Sequence, residues 1–302
     1  MKPLISVIVP TYNRVHLLKR LLESLQVQSL ETHFFEVIVV DDGSMDSTKE
    51  LLSEMQTSMV NLTVLRQQNR GPAAARNTGA RSATGYYLAF TDDDCVAAPN
   101  WLFELLNTFA YKQCVAIQGR TSTWKRACTP LTHQISNETG HSAVPTCNAA
   151  YEARIFAKAG GFDEGFPSPH NEDADLAWRV SQLGRIEFEP NARIIHPPRR
   201  DRFSHIAGRM KMLASEFYLY HKNKALYRRF RNRTPWRTIY GEVFFSHQLR
   251  NLKSNFRFLR QPTLFVKGLG LSLVWWVQLI TLLPTYLKED RRCRALFMEA
   301  HQ

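Results

Sequence analysis

Apolar stretches that end in polar or acidic residues restrict the possible folds of this chain more than any other feature. The stretches are Leu4 to Val9, Phe35 to Val40, Leu62 to Leu65 and Tyr86 to Phe90. Continuous apolar runs of this length are typical of strands covered on both faces. Segments with helical spacing separate them, so the order strand, helix, strand predicts an α/β fold. Its sheet is expected to be mostly parallel and Rossmann-like, with helices on its faces.

Polar clusters follow three of these stretches. They are Pro10-Thr11-Tyr12-Asn13, Asp41-Asp42 and Asp92-Asp93-Asp94. Ligands bind outside the carboxyl ends of parallel strands, so the three clusters are expected to form one site. A dinucleotide site is excluded because no GxGxxG pattern follows the first strand.

The run Asp92-Asp93-Asp94 is the strongest chemical signal. Consecutive carboxylates at the end of a buried strand repel one another and lose hydration, which makes a packing role improbable. A divalent cation relieves this repulsion, and oxygen ligands suit Mg²⁺ or Mn²⁺. The alternative is a solvated acidic loop or a cap for the helix after Pro99.

Three further side chains suit a bound nucleotide. Asp42 can accept hydrogen bonds from a base or a ribose, and the Tyr12 ring can stack on a base. Arg76 can reach a phosphate or pair with the acidic run. Each has a simpler reading: a turn residue for Asp42, rim packing for Tyr12 and a solvated helical arginine for Arg76.

Candidate catalytic groups occur later in the chain. Glu172 to Leu183 predicts an amphipathic helix, and the strands Ile186 to Glu189 and Arg193 to Ile195 lead to His196. Asp173 lies in the first helical turn and can act as a general base, although first-turn acids are also ordinary helix chemistry. His196 is either a metal ligand or a histidine at a strand end.

Charge divides the chain into two parts. Lys and Arg outnumber Asp and Glu by 39 to 27, a net +12. Residues 193–302 hold 22 basic and 6 acidic side chains, a net +16, which leaves 17 basic and 21 acidic ones, or −4, in residues 1–192. A basic, largely helical C-terminal extension is therefore predicted over residues 199–302.

An apolar segment over residues 264–287 lies within this extension. Basic residues flank it on both sides, which favours a segment that lies along a membrane surface. A single membrane span and a buried helix are the alternatives. The five cysteines have no metal-binding spacing and the N-terminus has no signal-peptide pattern, so the catalytic part is expected in the cytoplasm, at the cytoplasmic face of the membrane.

The order of the motifs resembles that of the family 2 glycosyltransferases of the GT-A fold. The motifs are SVIVPTYNR, VVDDGSMDST, GPAAARNTGA, FTDDDCVAAPNWL, AGGFDEGF and NEDADLAWRV, and the resemblance covers residues 4–198. It implies an inverting enzyme that uses a nucleotide-diphosphate sugar, with UDP as the default nucleotide, and a divalent metal. It also implies a GT-A domain over residues 1–198, with a nucleotide-sugar half at 1–118 and an acceptor half at 119–198.

The resemblance also assigns roles by position. Pro10, Thr11, Tyr12 and Asp42 would hold the nucleoside, with Arg76 nearby. Asp92, Asp93 and Asp94 resemble the DxD element, with Asp94 as the expected direct metal ligand. Asp173 would be the catalytic base.

The expected reaction is transfer of the sugar to a hydroxyl of a saccharide or lipid-linked acceptor, with formation of a β-linkage. One alternative is a nucleotide-binding fold whose basic C-terminal region binds nucleic acid. Residues 264–287 argue against it, because their composition suits lipid. The other alternative is a non-catalytic relative that binds nucleotide sugars.

Overall fold

The computed structural model of the protein describes residues 2–299, without the side chain of Phe244. These residues form two compact units. The first consists of residues 2–124, Gln134–Glu164 and Glu172–Pro197. The second consists of Lys125–His133, Gly165–Asn171 and residues 198–299. The domain boundaries inferred from the sequence stay predictions.

The strands, in chain order, are β1 (Ile5–Thr11), β2 (Phe35–Asp41), β3 (Leu62–Arg66), β4 (Tyr87–Phe90), β5 (Val96–Ala97), β6 (Ala116–Ser122), β7 (Thr132–His133), β8 (Ala149–Glu152), β9 (Ile186–Ile195) and β10 (Arg199–Arg200). The first unit contains the helices α1 (Val15–Gln26), α2 (Thr48–Ser58), α3 (Pro72–Ser82), α4 (Trp101–Tyr111), α5 (Ala153–Lys158) and α6 (Glu172–Val180). The second contains α7 (Phe203–Gly208), α8 (Ser215–Lys222), α9 (Lys224–Arg231), a π-helix (Arg237–His247), α10 (Gln248–Asn255), α11 (Pro262–Thr281) and α12 (Leu283–Glu299).

An eight-stranded sheet forms the centre of the first unit, in the order β3-β2-β1-β4-β8-β6-β9-β5. β1 pairs in parallel with β2 and β4, and β2 pairs in parallel with β3. The antiparallel strand β8 joins β4 to β6, and β6 pairs in parallel with β9. The α/β fold with a mostly parallel sheet is thereby confirmed.

The two strands predicted around residue 190 form one strand, β9. β9 pairs with β6, and the register of this pairing shifts between two consecutive residues of β6: Gly119 pairs with Glu189, whereas Arg120 pairs with Arg193. The residues between Glu189 and Arg193 leave the ladder, and Asn191 donates its N–H to Glu189 Oε1 at 3.0 Å. This irregularity is a β-bulge, so Pro190 interrupts the pairing without ending the strand.

Both faces of β1 are buried, as its apolar run predicts. Val7 and Val9 belong to the same core cluster as four leucines of α1, namely Leu18, Leu21, Leu22 and Leu25. On the other face, α3 approaches so closely that a Cβ on Gly79 would lie 2.6 Å from Ile8 Cγ2. This close approach sets the position of α3, the helix that carries Arg76.

Side chains of several helices form the core of the second unit, with Phe217, Ile239, Leu279 and Tyr286 fully buried. A polar cluster accompanies it. Glu216 is buried and accepts hydrogen bonds from Asn171 Nδ2 at 3.0 Å, Arg231 Nη2 at 3.1 Å and the Tyr227 hydroxyl at 2.7 Å. The buried carboxylate is therefore compensated by one cation and two neutral donors.

The apolar segment predicted over residues 264–287 belongs to two helices in the structure. α11 ends at Thr281, and α12 begins at Leu283 with Pro284 in its first turn. A proline is tolerated there because first-turn N–H groups have no partner within the helix. Within residues 2–299, α11 has the length and composition of a membrane-crossing helix, which is weak evidence for a span.

Candidate active site

The polar clusters predicted to converge do meet at the carboxyl ends of β1, β2 and β4. Thr11 pairs with Asp41 in the parallel ladder, and the Asp42 N–H donates to the Thr11 carbonyl at 2.9 Å. The Thr11 hydroxyl donates to Asp93 Oδ2, also at 2.9 Å. Three segments that are distant in sequence thus share one edge of the sheet.

Asp42 organises the loop that leads into α3. Its Oδ1 accepts from Gln67 Nε2 at 2.8 Å and from the Arg70 N–H at 2.9 Å, and its Oδ2 accepts from the Gly71 N–H at 2.8 Å. Gly71 has a φ of +85°, a left-handed conformation that favours glycine. The position of Asp42 therefore has a structural cause, and its contact with a nucleoside stays a prediction.

Tyr12 and Pro10 lie on either side of Thr11. Pro10 is buried within β1, whereas the Tyr12 side chain is 43% exposed just beyond the strand. An exposed ring at this edge is available for stacking.

The three consecutive aspartates have separate partners. Asp92 Oδ1 accepts from Arg76 Nη2 at 2.6 Å, and Asp93 Oδ1 accepts from Arg14 Nη1 at 2.9 Å. Asp94 lies 3.3 Å from His196 Nε2 and 3.6 Å from Arg14 Nη1. Their repulsion is reduced because each carboxylate has its own neighbouring donor.

Burial distinguishes Asp93 from an ordinary aspartate. Loss of hydration raises the pKa of Asp93 to about 6, although the Arg14 guanidinium acts in the opposite direction. Asp93 is 2% exposed and accepts from both Thr11 and Arg14. Its contacts connect β1 and the turn before α1 to the turn that contains Asp92, Asp93 and Asp94, called here the acidic turn.

Asp94, Cys95 and His196 each offer one ligand atom, and these atoms all lie within 4.8 Å of one another. All three residues are buried. Burial tends to lower the pKa of His196, but the hydrogen bond and charge of Asp94 outweigh it, so the pKa is raised. Carboxylate oxygens suit Mg²⁺ and Mn²⁺, and an imidazole is a common ligand of divalent transition metals, so Asp94 and His196 fit a divalent metal. Asp92 is directed to Arg76 and is not a member of this cluster.

Arg76 connects the acidic turn to α6. It is buried, and its Nη1 lies 3.4 Å from Glu172 Oε1. Burial raises the pKa of Glu172, and the nearby Arg76 opposes that rise. Burial tends to lower the pKa of Arg76, but the charges of Asp92 and Glu172, with a smaller contribution from the half-buried Asp173, raise it. The acidic turn, α3 and the start of α6 therefore form one charged cluster.

Sequence reasoning overlooked Arg14, Cys95, Tyr151 and the contact of Glu172 with Arg76. Arg14 directly follows the Tyr12-Asn13 pair, so its position in that motif was an available signal. Tyr151 is fully buried on β8, and its hydroxyl has no hydrogen-bond partner among the described residues. Burial, followed by the charge of Asp173, raises its pKa. Only tertiary structure reveals Cys95 and Tyr151.

Comparison with known proteins connects this site to one family. The profile of the family described as "Glycosyl transferase family 2" matches residues 6–169. The glycosyltransferase AglE of Haloferax volcanii is 28% identical over 206 residues, which cover 65% of this chain and 68% of AglE. The chain spans 43 to 52% of the length of several other curated glycosyltransferases that it matches.

Two solved structures are similar in fold. The mannosyltransferase PcManGT from Pyrobaculum calidifontis, in complex with GDP-Man and Mn²⁺, has a TM-score of 0.62 and 20% identity, and the match covers 98% of this chain and 88% of that one. Residues 1–349 of S. aureus TarS, in complex with UDP-GlcNAc, give a TM-score of 0.59 and 17% identity, with 99% and 91% covered.

Proposed function

Because this chain belongs to glycosyl transferase family 2 and has the GT-A fold, we propose that it is an inverting, metal-dependent glycosyltransferase. It moves a sugar from a nucleotide-diphosphate sugar to a hydroxyl of a saccharide or lipid-linked acceptor. The observation that carries the proposal is the single charged cluster in which Arg76 contacts both Asp92 and Glu172, next to Asp173. Family membership disfavours a nucleic-acid-binding protein, and the relatives that are named as glycosyltransferases favour an active enzyme over a non-catalytic relative.

The donor site is proposed at the edge formed by β1 and β2. Tyr12 stacks on the base, Asp42 and Thr11 hold the nucleoside with Pro10, and Arg76 lies near the diphosphate. Asp92 and Asp93 are the remaining residues of the proposed donor site. The complexes of PcManGT with GDP-Man and of TarS with UDP-GlcNAc support a nucleoside diphosphate in general, and we propose UDP as the nucleotide.

Asp94 and His196 are the proposed metal ligands, with Asp92 as a further candidate. The buried Asp94, Cys95 and His196 cluster supports this, because its donor atoms lie within 4.8 Å of one another. When bound, Mg²⁺ or Mn²⁺ supplies a Lewis acid for the leaving diphosphate. The contribution of the protein is to hold Asp94 in the turn between β4 and β5 and His196 directly after β9.

Asp173 is the proposed catalytic base. It lies in the first turn of α6, where the helix dipole favours the ionised carboxylate. Asp173 accepts the proton of the acceptor hydroxyl as that oxygen attacks the anomeric carbon and the bond to the diphosphate breaks. One displacement inverts the anomeric centre, so an α-linked donor gives a β-linked product. Arg76 keeps a positive charge beside Asp92 throughout.

We also propose that the enzyme acts at the cytoplasmic face of the membrane on a lipid-linked acceptor. The excess of basic residues in the C-terminal part and the apolar helix α11 support this location.

The direct test is a panel of UDP-, GDP- and dTDP-sugars, each with Mn²⁺ or Mg²⁺. Thermal shift reports binding, and hydrolysis of the donor reports turnover. We expect stabilisation by UDP-sugars that depends on the metal. A flat response across all donors, with the protein folded, contradicts the proposal.

A further inference from the structure

One face of α11 is exposed and entirely apolar. Its six residues, called here the apolar stripe, are Val266, Leu269, Leu273, Trp276, Val277 and Ile280. Their exposure ranges from 37% at Leu269 to 67% at Leu273. They recur every three or four residues, so they lie on one side of the helix. Exposed apolar side chains are normal when isolated, but a continuous row on one helix marks an interaction surface.

The opposite face of α11 is packed inside the second unit. Leu271 clusters with Ile206 and Ala207, and Leu279 is fully buried. Trp275 Nε1 donates to the Ile206 carbonyl at 3.2 Å, and the Tyr240 hydroxyl donates to the Leu279 carbonyl at 2.9 Å. These contacts fix the rotation of the helix about its axis, so the apolar stripe is the outward side of a well-packed element.

Basic residues surround the apolar stripe in sequence. From Val243 to Lys288 the chain has no Asp or Glu and six Lys or Arg. Arg250, Lys253, Arg260 and Lys267 are exposed, and none forms an ion pair with a carboxylate in residues 2–299. Within residues 243–288 all formal charges are thus positive, and these four basic side chains have no carboxylate partner among residues 2–299.

We propose that the apolar stripe docks α11 in the plane of a bilayer that contains anionic lipids, with the adjacent Lys and Arg side chains at the headgroups. Apolar side chains enter the boundary of the acyl chains, and each basic residue near the surface adds attraction to the anionic lipids. This inference deepens the proposed function and rests on it, because an enzyme with a lipid-linked acceptor meets that acceptor at the membrane surface.

The contacts of the packed face of α11 are incompatible with a helix that crosses the membrane. Crossing the bilayer would separate Trp275 and Leu279 from their hydrogen-bond partners and place Gln278 in hydrocarbon. Polar groups without partners are costly there. Docking in the plane leaves these contacts intact and removes only the exposed side chains from water.

Flotation with vesicles tests the apolar contribution. We expect the wild-type protein to float with phosphatidylcholine vesicles that contain phosphatidylglycerol, and less so at high salt. The double variant Leu273→Gln/Ile280→Gln removes two large side chains without adding charge, and should lower the partition coefficient by at least about tenfold. Val60→Gln is the matched control, because Val60 is 90% exposed in a turn of the first unit. Equal flotation of the double variant and the wild type overturns the proposal.

A second double variant tests the charge contribution. Lys253→Gln/Lys267→Gln should weaken flotation on vesicles with phosphatidylglycerol by about tenfold and reduce the salt dependence. It should leave any residual binding to pure phosphatidylcholine unchanged. An equal loss on both kinds of vesicle overturns the role of anionic lipid.

Trp276 provides a direct probe of the stripe. Brominated lipids should quench tryptophan fluorescence of the wild-type protein on vesicles, and Trp276→Phe should lose most of that quenching. Quenching that persists in Trp276→Phe overturns the assignment of this face to the bilayer.

Two further results would overturn the proposal in favour of another occupant. If membrane fractions isolated from cells retain the protein after an alkaline carbonate wash, α11 spans the membrane. A wild-type dimer in light scattering that becomes monomeric in Leu273→Gln/Ile280→Gln, with unchanged flotation, would indicate a second copy of the chain.

Donor binding separates this inference from the proposed function. The stripe variants should keep the thermal shift produced by UDP-sugar and Mn²⁺, whereas Asp94→Asn should lose the shift and keep flotation. If no donor binds but flotation depends on the stripe, the enzymatic proposal fails and the docking surface stands.

Discussion

Arg76 Nη2 lies 2.6 Å from Asp92 Oδ1, which joins α3 to the acidic turn after β4. The same guanidinium reaches Glu172 Oε1 at 3.4 Å through Nη1. This buried arginine lies between two carboxylates and thereby connects three segments that are separate in sequence: α3, the turn after β4 and the start of α6.

Replacement of Arg76 by Met should destabilise the protein by about 3 kcal/mol, since the buried Glu172 and the half-buried Asp92 lose their cation. Arg76→Lys should fall between Met and the wild type, because one ammonium cannot bridge both carboxylates as a planar guanidinium does. Urea unfolding measures both. A loss below about 1 kcal/mol in Arg76→Met contradicts this account.

Replacement of Asp173 by Asn should lower turnover by about 10² to 10⁴, because the amide cannot accept the proton of the acceptor hydroxyl. Donor affinity and thermal stability should stay close to those of the wild type. Steady-state transfer assays and thermal shift with UDP-sugar measure the two effects. Glu54→Gln on the exposed side of α2 is the control for loss of a carboxylate. Turnover of Asp173→Asn equal to that of the control removes Asp173 from the reaction.

Asp94→Asn and His196→Gln should each weaken Mn²⁺ binding by at least about tenfold, because each removes a donor atom or the charge that orients one. Electron paramagnetic resonance of Mn²⁺ in the presence of UDP measures free and bound metal independently of turnover. Unchanged Mn²⁺ titrations in both variants would move the metal site elsewhere.

Gly79→Ala should destabilise the protein by about 1 to 3 kcal/mol, because the new Cβ would lie 2.6 Å from Ile8 Cγ2 and 3.2 Å from Val40 Cγ2. Gly208→Ala is the matched control: it also lies in a helix, but its Cβ would meet nothing within 4 Å. That control should be neutral or stabilising by up to about 1 kcal/mol, as expected for Ala in place of Gly in a helix. Equal effects of the two substitutions would show that α3 can shift away from β1.

His170 should make the second unit sensitive to mild acid. Burial lowers its pKa below the ordinary value of 6.5; Glu216 opposes this change and Arg231 adds to it. The unfolded chain therefore binds more protons as the pH falls through 6.5, so the stabilising contribution is present above that pH and lost below it. The free energy of unfolding should drop more between about pH 7.5 and about pH 5.5 in the wild type than in His170→Gln. Identical drops would mean that His170 titrates normally in the folded protein.

Local patterns predicted much of the fold correctly. The apolar runs of β1 and β2 and the leucine spacing of α1 give strands and a helix at the expected positions. The interruption at Pro190 was misread, because a bulge and a strand end have the same local sequence. Only pairing with β6 distinguishes them.

The sequence patterns predicted where the candidate site lies, but they did not predict the hydrogen-bond partners of its residues. Strand-end clusters predicted that Asp42 and Asp94 share one edge of the sheet, since parallel strands have their carboxyl ends on the same side. No local pattern indicates that Asp42 holds the loop before Gly71, because those hydrogen bonds join residues almost thirty positions apart. The roles of these residues in binding and catalysis stay predictions.

The amino-acid order alone established the alternation of strands and helices, the family and the position of the acidic run. The three-dimensional packing decided which partner each carboxylate has: Arg76 for Asp92, Arg14 for Asp93 and His196 for Asp94. Neighbouring residues in a turn point in different directions, so their contacts depend on which distant elements pack around that turn. Such contacts arise only when the chain is folded, and no local pattern encodes them.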